Sequence, residues 1–124
     1  MRRKMGDIDI MSLERVLKAL EDLGLSREES EVYVYLAKAG PKKVSELGAG
    51  LRMTKRQLYP VLKGLKNKGI VASRPERAQM FFAIAFEELL DLFMRIGAEK
   101  ARAIQEERQE LVSSWRETTK KRNS

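Results

Sequence analysis

The chain is 124 residues long, and its 43% hydrophobic and 35% charged residues are typical of one folded domain with at most one projecting element. It has 25 basic and 18 acidic side chains, which give a formal net charge of +7 at pH 7. Cysteine and histidine are both absent, which excludes disulfides and thiolate metal sites and removes the commonest catalytic bases and nucleophiles. We therefore expect no metal, no cofactor and no enzyme activity.

The excess positive charge lies in one segment, between Lys42 and Arg77. This stretch has ten basic side chains and only two acidic ones, whereas the rest of the chain is nearly neutral. A surface that only confers solubility usually mixes both signs of charge. A segment of one sign instead indicates a surface that meets a polyanion such as a nucleic acid.

No stretch of the sequence approaches the ~20 consecutive apolar residues that a membrane-spanning helix requires. The basic start Arg2-Arg3-Lys4 is not followed by the apolar core of a signal peptide. We therefore expect no membrane contact and a cytoplasmic, nucleoid-associated location.

The first elements are a lead-in and a helix. Residues 1–11 are expected to be flexible. Ser12 is a good N-terminal cap, and apolar side chains at helical spacing predict a helix from there to about Leu23. Gly24 follows, and glycine commonly ends a helix because it adopts the left-handed conformation without a steric penalty.

Two further helices follow. Ser26 with Glu29 predicts a capping box, in which each side chain satisfies the other residue's backbone N–H, at the start of the second helix. Gly40-Pro41 ends that helix. A short third helix is predicted at about 44–51, and Tyr33 of the second helix is expected to lie in the core.

The helix at 54–68 is the main candidate for function. A tight turn at 52–54 precedes it, Thr54 with Gln57 predicts a second capping box, and Gly69 ends it. Leucines at helical spacing form one apolar face. The opposite face is basic and has one aromatic side chain, so this helix is expected to pack on its neighbours and to present its charge outwards.

A β-hairpin is predicted after this helix, with strands at 70–74 and 79–84 and a tip at 75–78. Pro75 suits the turn, because proline is disfavoured within a central strand. Phe81 is expected to lie in the core.

One long helix is predicted from about 86 to 119, followed by a basic tail at 120–124. Its apolar residues recur at heptad spacing, which is typical of a coiled-coil seam rather than of a globular core. Dimerisation is therefore predicted at Leu90, Met94, Gly97, Ala101, Ile104, Arg108, Leu111 and Trp115. Arg108 needs a partner in this seam, and Glu106, Glu107 and Glu110 of a second chain are candidates.

These elements predict a mainly α-helical fold with a small β-hairpin. Two helices joined by a three-residue turn and followed by a hairpin are typical of a winged helix-turn-helix, whose second helix enters the DNA major groove. The winged domain is predicted at 12–84 and the long dimerisation helix at 85–119.

The basic segment and the 54–68 helix supply the candidate DNA contacts. Arg56 is predicted to contact either a guanine edge or only phosphate, and Gln57 either to pair with adenine or only to cap its helix. Arg77, at the hairpin tip, either enters a minor groove or is an idle exposed side chain. The full set is Lys42, Lys43, Arg52, Thr54, Lys55, Arg56, Gln57, Tyr59, Lys63, Lys66, Arg74 and Arg77.

Tyr59 and Pro60 are the two irregular residues of this helix. Tyr59 is predicted either to lie at the DNA face or to fill the seam between helix and hairpin. Pro60 lacks the N–H that would bond the carbonyl of Arg56. A kink at Pro60 that aims the first turn towards DNA is a hypothesis.

The order of these motifs resembles the amino-terminal domain of the TrmB family of winged-helix transcription regulators, over about residues 13–90. The matching residues are Leu23-Gly24-Leu25-Ser26, Glu29, Val32-Tyr33, Ala39-Gly40-Pro41, Ser45-Glu46-Leu47, Leu58-Tyr59, Val61-Leu62, Leu65 and Lys68-Gly69-Ile70-Val71. Arg52 and Pro60 depart from the family's usual glycine and acidic residue. Leu58-Tyr59-Pro60 is instead similar to the recognition helix of the PadR family, our second choice.

The resemblance implies DNA binding and dimerisation, with antiparallel pairing of the long helices as in related regulators. Larger TrmB-like proteins add a sugar-binding domain, and we expect none here. The prediction is therefore a homodimeric, sequence-specific regulator of double-stranded DNA. Two alternatives remain open, namely a non-specific architectural or chromatin DNA-binding protein and a protein-interaction winged helix in transcription machinery.

Overall fold

The computed structural model describes residues 2–75 and 79–123, and the side chains of residues 10–75 and 79–120. Residues up to Leu89 form one compact unit, and residues from Leu90 onwards form a second. The expected fold class, mainly helical with a small sheet and a long last helix, is confirmed. The elements are α1 (Arg2–Asp22), α2 (Arg27–Ala39), β1 (Lys42–Lys43), α3 (Val44–Leu51), α4 (Lys55–Asn67), β2 (Val71–Arg74), β3 (Met80–Ala83) and α5 (Phe86–Asn123).

A core of leucines joins the helices of the first unit. Leu20 of α1, Leu36 of α2, Leu47 of α3 and Leu62 of α4 are each at most 1% exposed. Burying one leucine side chain contributes about 1.5–3 kcal/mol. The apolar side chains of each helix therefore decide which of its faces points inwards.

α1 begins ten residues before the start that the sequence pattern predicts. The predicted start at Ser12 is wrong, because the helix is continuous from Arg2 through the expected lead-in. Gly6 is the residue that disfavours helix most in that stretch, and one glycine weakens a helix by ~1 kcal/mol without ending it. α5 likewise continues to Asn123, past the predicted end at Thr119.

The start and the inward face of α2 are as predicted. Ser26 and Glu29 form the capping box, in which each side-chain oxygen accepts the other residue's N–H at 3.0 Å. Tyr33 is 1% exposed, and its hydroxyl donates to the carbonyl oxygen of Ile84 at 2.8 Å. Burial, reinforced by two carboxylates in the first turn of α5, raises the pKa of Tyr33 to about 12.

The sheet has three antiparallel strands in the order β1-β3-β2. β2 and β3 form the predicted hairpin, which we call the wing, with Val71 opposite Ala83 at one end. Phe81 is buried, as predicted, and lies opposite Lys42 of β1. The strand β1 was not predicted, because two residues are too short to show the alternation that indicates a strand.

A partly buried ion pair joins α2 to the residue that follows α4. Lys68 Nζ donates to Glu29 Oε2 at 2.7 Å, and Glu29 is only 9% exposed. Gly64 makes this approach possible, because a Cβ at that position would lie 2.6 Å from the same carboxylate oxygen. The pair therefore fixes how α4 lies across α2.

We expect protonation of Glu29 to lower the stability of the fold in acid. Burial alone would raise the pKa of this carboxyl, but the hydrogen bonds from Lys68 and Ser26 outweigh burial and lower the pKa below its ordinary 4.5. The folded state therefore prefers the carboxylate. Its stabilising contribution is present above the unfolded-state pKa and is lost as the pH falls through the lower, folded-state pKa.

Urea unfolding of Glu29→Gln measures this contribution. At neutral pH the substitution should lower the free energy of unfolding by about 1–3 kcal/mol, because it leaves Lys68 without its partner. The difference from wild type should shrink as the pH falls below 4.5 and through the lowered folded-state pKa of Glu29, because the wild-type carboxylate then also protonates. Glu28→Gln, at an exposed neighbour, is the matched control. A difference that does not change with pH would contradict the argument.

Candidate nucleic-acid interface

The turn between α3 and α4 sets the first turn of the candidate recognition helix. The predicted capping box is confirmed, since Thr54 Oγ1 accepts the Gln57 N–H at 3.2 Å and Gln57 Oε1 accepts the Thr54 N–H at 2.9 Å. These bonds satisfy N–H groups that a helix start otherwise leaves unpaired. They also occupy the oxygen that Gln57 would need to pair with adenine, so the cap competes with that contact.

α4 separates an apolar face from a basic one. Leu58, Leu62 and Leu65 are each at most 1% exposed and attach the helix to the core. Lys55, Arg56, Lys63 and Lys66 are all exposed. Because the leucines fix the rotation of the helix, the cations are held on its outer face.

Lys55 and Arg56 occupy the first turn of α4, where a helix has partial positive charge. In the part of the chain that the structure describes, no carboxylate lies within ion-pair distance of either side chain. Lys68, at the other end, instead pairs with Glu29. The first turn is therefore the most strongly anion-attracting part of the helix, and an arginine there is long enough to reach a base edge.

Arg52 ends α3 in the left-handed conformation, with φ of 57°. Among the described residues it is the one non-glycine residue with a positive φ. This conformation costs a residue with a Cβ roughly 1–2 kcal/mol, so backbone geometry alone would favour glycine. The side chain is exposed in the turn that precedes α4, which suits the predicted phosphate contact.

Replacing Arg52 with glycine should separate these two effects. We expect Arg52→Gly to raise the free energy of unfolding by up to about 1 kcal/mol, because it relieves the backbone strain. The same variant should bind duplex DNA more weakly, because one phosphate contact is lost. The slope of log affinity against log salt concentration should be smaller by about 0.9. Arg52→Lys, which keeps charge and strain, is the control. If Arg52→Gly bound duplex DNA as tightly as wild type, the predicted contact of Arg52 with DNA would be contradicted.

A groove of about 260 Å³ lies between α4 and the wing. Tyr59 and the buried Phe81 both line it, and Tyr59 is also 52% exposed. Tyr59 therefore lies at the seam between helix and wing and also presents a surface to solvent. Lys63 and Lys66 line the same groove, so the aromatic ring has cations beside it.

Lys66 is held against the wing. Its Nζ donates to Ser73 Oγ at 2.9 Å, and Gln79 Nε2 donates to the same oxygen at 2.9 Å. The sequence did not indicate Ser73 or Gln79, because only the register of β2 and β3 brings them to the end of α4. The bond from Lys66 links α4 to the wing, and the bond from Gln79 links the two sides of the wing, while Lys66 stays exposed.

The remaining cations of the predicted site lie on the strands. Arg74 is exposed at the end of β2, with its guanidinium carbon 5.2 Å from the centre of the Phe82 ring. Such a cation–π contact limits the freedom of the side chain. Lys42 and Lys43 form β1, half-buried and exposed respectively. Arg77 lies outside the described residues.

Pro60 is exposed on α4, and the helix continues through it from Lys55 to Asn67. The proline therefore does not end the helix. Proline has no N–H, so the carbonyl of Arg56 lacks its usual helical partner. The kink towards DNA remains a hypothesis.

Five of the eight predicted dimerisation residues are large apolar side chains that lie exposed on α5. Met94, Ile104 and Trp115 are between 60% and 71% exposed, and Leu111 is 50% exposed. Leu90, Gly97, Ala101 and Arg108 are also exposed. They share one stripe of α5, as their heptad spacing predicts.

Neither a metal centre nor a membrane segment is found in the described ranges. No group of three or more carboxylates lies close enough together to hold a metal ion among residues 2–75 and 79–123. None of the helices there combines the length and the apolar character that crossing a membrane requires.

The chain matches one family model, described as "Sugar-specific transcriptional regulator TrmB", over residues 20–87. This match covers more than half of the chain. No curated protein matches the sequence.

Solved structures share the fold at low sequence identity. TrmBL2, an archaeal chromatin protein, has a TM-score of 0.73 and 20% identity, covering 82% of this chain and 39% of its own. A possible transcriptional regulator from Methanosarcina mazei Go1 has a TM-score of 0.58 and 15% identity, covering 78% and 86%. The transcriptional regulator Tm0710 from Thermotoga maritima has a TM-score of 0.56 and 21% identity, covering 99% and 96%. The present chain therefore spans well under half the length of TrmBL2.

Proposed function

Because the chain belongs to the TrmB family of transcriptional regulators, we propose that it binds double-stranded DNA sequence-specifically as a homodimer. α4 enters the major groove, and the wing contacts the backbone or the minor groove. Residues 12–84 are the DNA-binding domain and residues 85–119 the dimerisation helix, with the basic residues 120–124 at its end. The protein associates with the nucleoid.

One observation carries this proposal. Lys55 and Arg56 are exposed at the N-terminus of a helix whose opposite face is anchored by buried leucines. Phosphates and guanine edges both present acceptors to such a surface. The neighbouring cations Arg52 and Lys63 supply phosphate contacts that position the helix, whereas Arg56 supplies sequence readout.

The homodimer is supported by the exposed apolar stripe of α5. Exposed apolar side chains that share one stripe of a helix often mark an interaction site, and this stripe suits pairing with a second copy. Two-fold pairing presents two copies of α4 to one face of the DNA. The expected operator is therefore pseudo-palindromic, with half-sites ~34 Å apart.

Selection of bound duplexes from a random pool tests sequence specificity. We expect enrichment of a motif with two related half-sites. Its affinity at fixed, near-physiological salt should exceed that of random duplex by at least about 10³-fold. Recovery of duplexes without a common motif, bound as tightly as random DNA, would contradict specific readout.

A second candidate function is that of an architectural DNA-binding protein. The fold likeness to TrmBL2, described as an archaeal chromatin protein with a novel mode of DNA binding, favours this candidate. A lysine-rich surface binds phosphates of any sequence. The ratio of affinity for the selected motif to affinity for random duplex decides between the two functions, because an architectural protein gives a ratio near one.

A further inference from the structure

The heptad stripe of α5 contains one glycine that no described residue of its own chain requires. A Cβ at Gly97 would meet no atom of the described residues within 4 Å. Glycine in the middle of a helix is less favourable than alanine, because it loses more conformational freedom on folding. Gly97 therefore suits a close approach by something outside the chain.

The same stripe contains one charged residue. Arg108 is exposed and lies between apolar positions of the seam, and no carboxylate of the described residues pairs with it. An unpaired charge in a coiled-coil seam is unfavourable unless the partner helix leaves space for its long side chain to reach water.

We propose that α5 pairs with α5 of a second copy in one antiparallel register, with the two-fold axis between Arg102 and Ala103. This inference rests on the proposed homodimer and specifies its interface. In a heptad repeat the seam residues occupy two alternating core positions. An antiparallel coiled coil places residues at one core position opposite the partner's residues at the other core position. With the axis at this point, all eight seam residues of one chain face seam residues of its partner.

The register fills its outer layers with large residues and places small residues opposite large ones in its inner layers. Leu90 faces the partner's Trp115, and Met94 faces the partner's Leu111. In the centre, Ala101 faces the partner's Ile104. Gly97 faces the partner's Arg108, so the one glycine of the seam lies opposite its one arginine. The missing Cβ gives the arginine stem room to cross the seam and keep its guanidinium in water.

Charges beside the seam fit the same register. Lys100 and Glu107 occupy the flanking positions, and both are exposed with no ion pair among the described residues. The antiparallel register brings Lys100 next to the partner's Glu107, and two-fold symmetry makes this contact twice. Glu107 is therefore a partner of Lys100 rather than of Arg108, contrary to one of the candidates from the sequence.

Parallel pairing fits the seam worse. It would place Arg108 against the partner's Arg108 and Gly97 against the partner's Gly97, so that like charges meet in one layer and a gap is left in another. Lys100 would then flank the partner's Gln105, and no opposite charges would face each other across the interface. Charge and side-chain volume therefore both favour the antiparallel register.

Cysteine cross-linking of the full chain tests the register, since the natural sequence contains no cysteine. Met94→Cys and Leu111→Cys proteins are prepared separately, mixed and oxidised. In the proposed register Met94 faces the partner's Leu111, whereas it lies about 25 Å from the partner's Met94 along the helix. The mixture should form covalent dimer at least about tenfold faster than either variant alone, because the paired thiols have millimolar effective concentration.

The outcomes are distinct. Rapid cross-linking of either single variant alone would show parallel pairing and overturn the register while leaving the homodimer intact. A chain that sediments as a monomer and forms no cross-link in any combination would overturn both the register and the dimer. Salt-dependent binding of random duplex by these variants tests the DNA surface separately, because it requires the basic face of α4 whichever register is found.

Charge reversal gives a second test without cysteines. Lys100→Glu should weaken dimerisation by about 3- to 10-fold, because it places like charges together at two symmetric sites. Adding Glu107→Lys to the same chain should restore wild-type dimerisation. Glu106→Lys, on the outer face of α5, is the control for the second substitution. A double variant as weak as the single one would contradict the predicted contact.

Discussion

Replacing Arg56 with alanine is expected to weaken binding to a selected operator by about 1–3 kcal/mol, or roughly 5- to 150-fold. The reason is the position of this side chain in the first turn of α4, exposed and without an ion-pair partner in the described part of the chain. Affinity for random duplex should fall much less. The variant should therefore lose specificity as well as affinity when both duplexes are titrated at the same salt concentration.

Two variants make this result interpretable. Lys63→Ala removes a cation farther along α4 and should weaken operator and random duplex alike, with the salt slope reduced by about 0.9. Arg15→Ala removes an exposed arginine on α1 and should change neither. If Arg56→Ala bound both duplexes as tightly as wild type while the dimer stayed intact, the wrong face of the molecule would have been assigned to DNA.

Placing glutamate at both Ile104 and Leu111 is expected to convert the protein to a monomer. These side chains are 60% and 50% exposed in the single chain, so the substitutions remove little packing within it. They would place four carboxylates in the seam of a dimer, where burial of unpaired charge is unfavourable. Loss of the second DNA contact should then lower operator affinity by about 100-fold or more.

Sedimentation measures the first effect and duplex titration the second. Glutamate at both Ala103 and Ser113, which face away from the seam, adds the same charge and should leave a dimer. Thermal unfolding of the winged domain should be unchanged in both variants, since neither alters its core. A full-strength dimer in the seam variant would contradict the coiled-coil interpretation of α5.

Local chemistry explains which parts of the fold were predictable. The capping boxes at Ser26 and Thr54 each depend on two side chains three residues apart, so the sequence displays them directly. The leucines of α4 likewise reveal its buried face through their spacing. These signals gave the helix-turn-helix and placed Lys55 and Arg56 on the exposed face.

The features that were missed depend on residues far apart in sequence. The pairing of Glu29 with Lys68 needs α2 and α4 to cross at a particular angle, and Gly64 gives no local sign of that role. The strand β1 exists because β3 lies beside it. The left-handed conformation of Arg52 was hidden because the residue type does not favour it. The contact of Lys66 with Ser73 depends on how the wing folds back on α4.

A duplex titration with reversed charge on α4 tests the central claim most directly. The wild-type protein should bind duplex DNA with an affinity that falls steeply with salt, and Lys55→Glu with Arg56→Glu should abolish that binding near physiological salt. Arg15→Glu with Lys18→Glu, which places the same charge change on α1, should leave most of the affinity in place. Negligible wild-type affinity for duplex, or equal loss in both variants, would contradict the assignment of α4 as the DNA-binding helix.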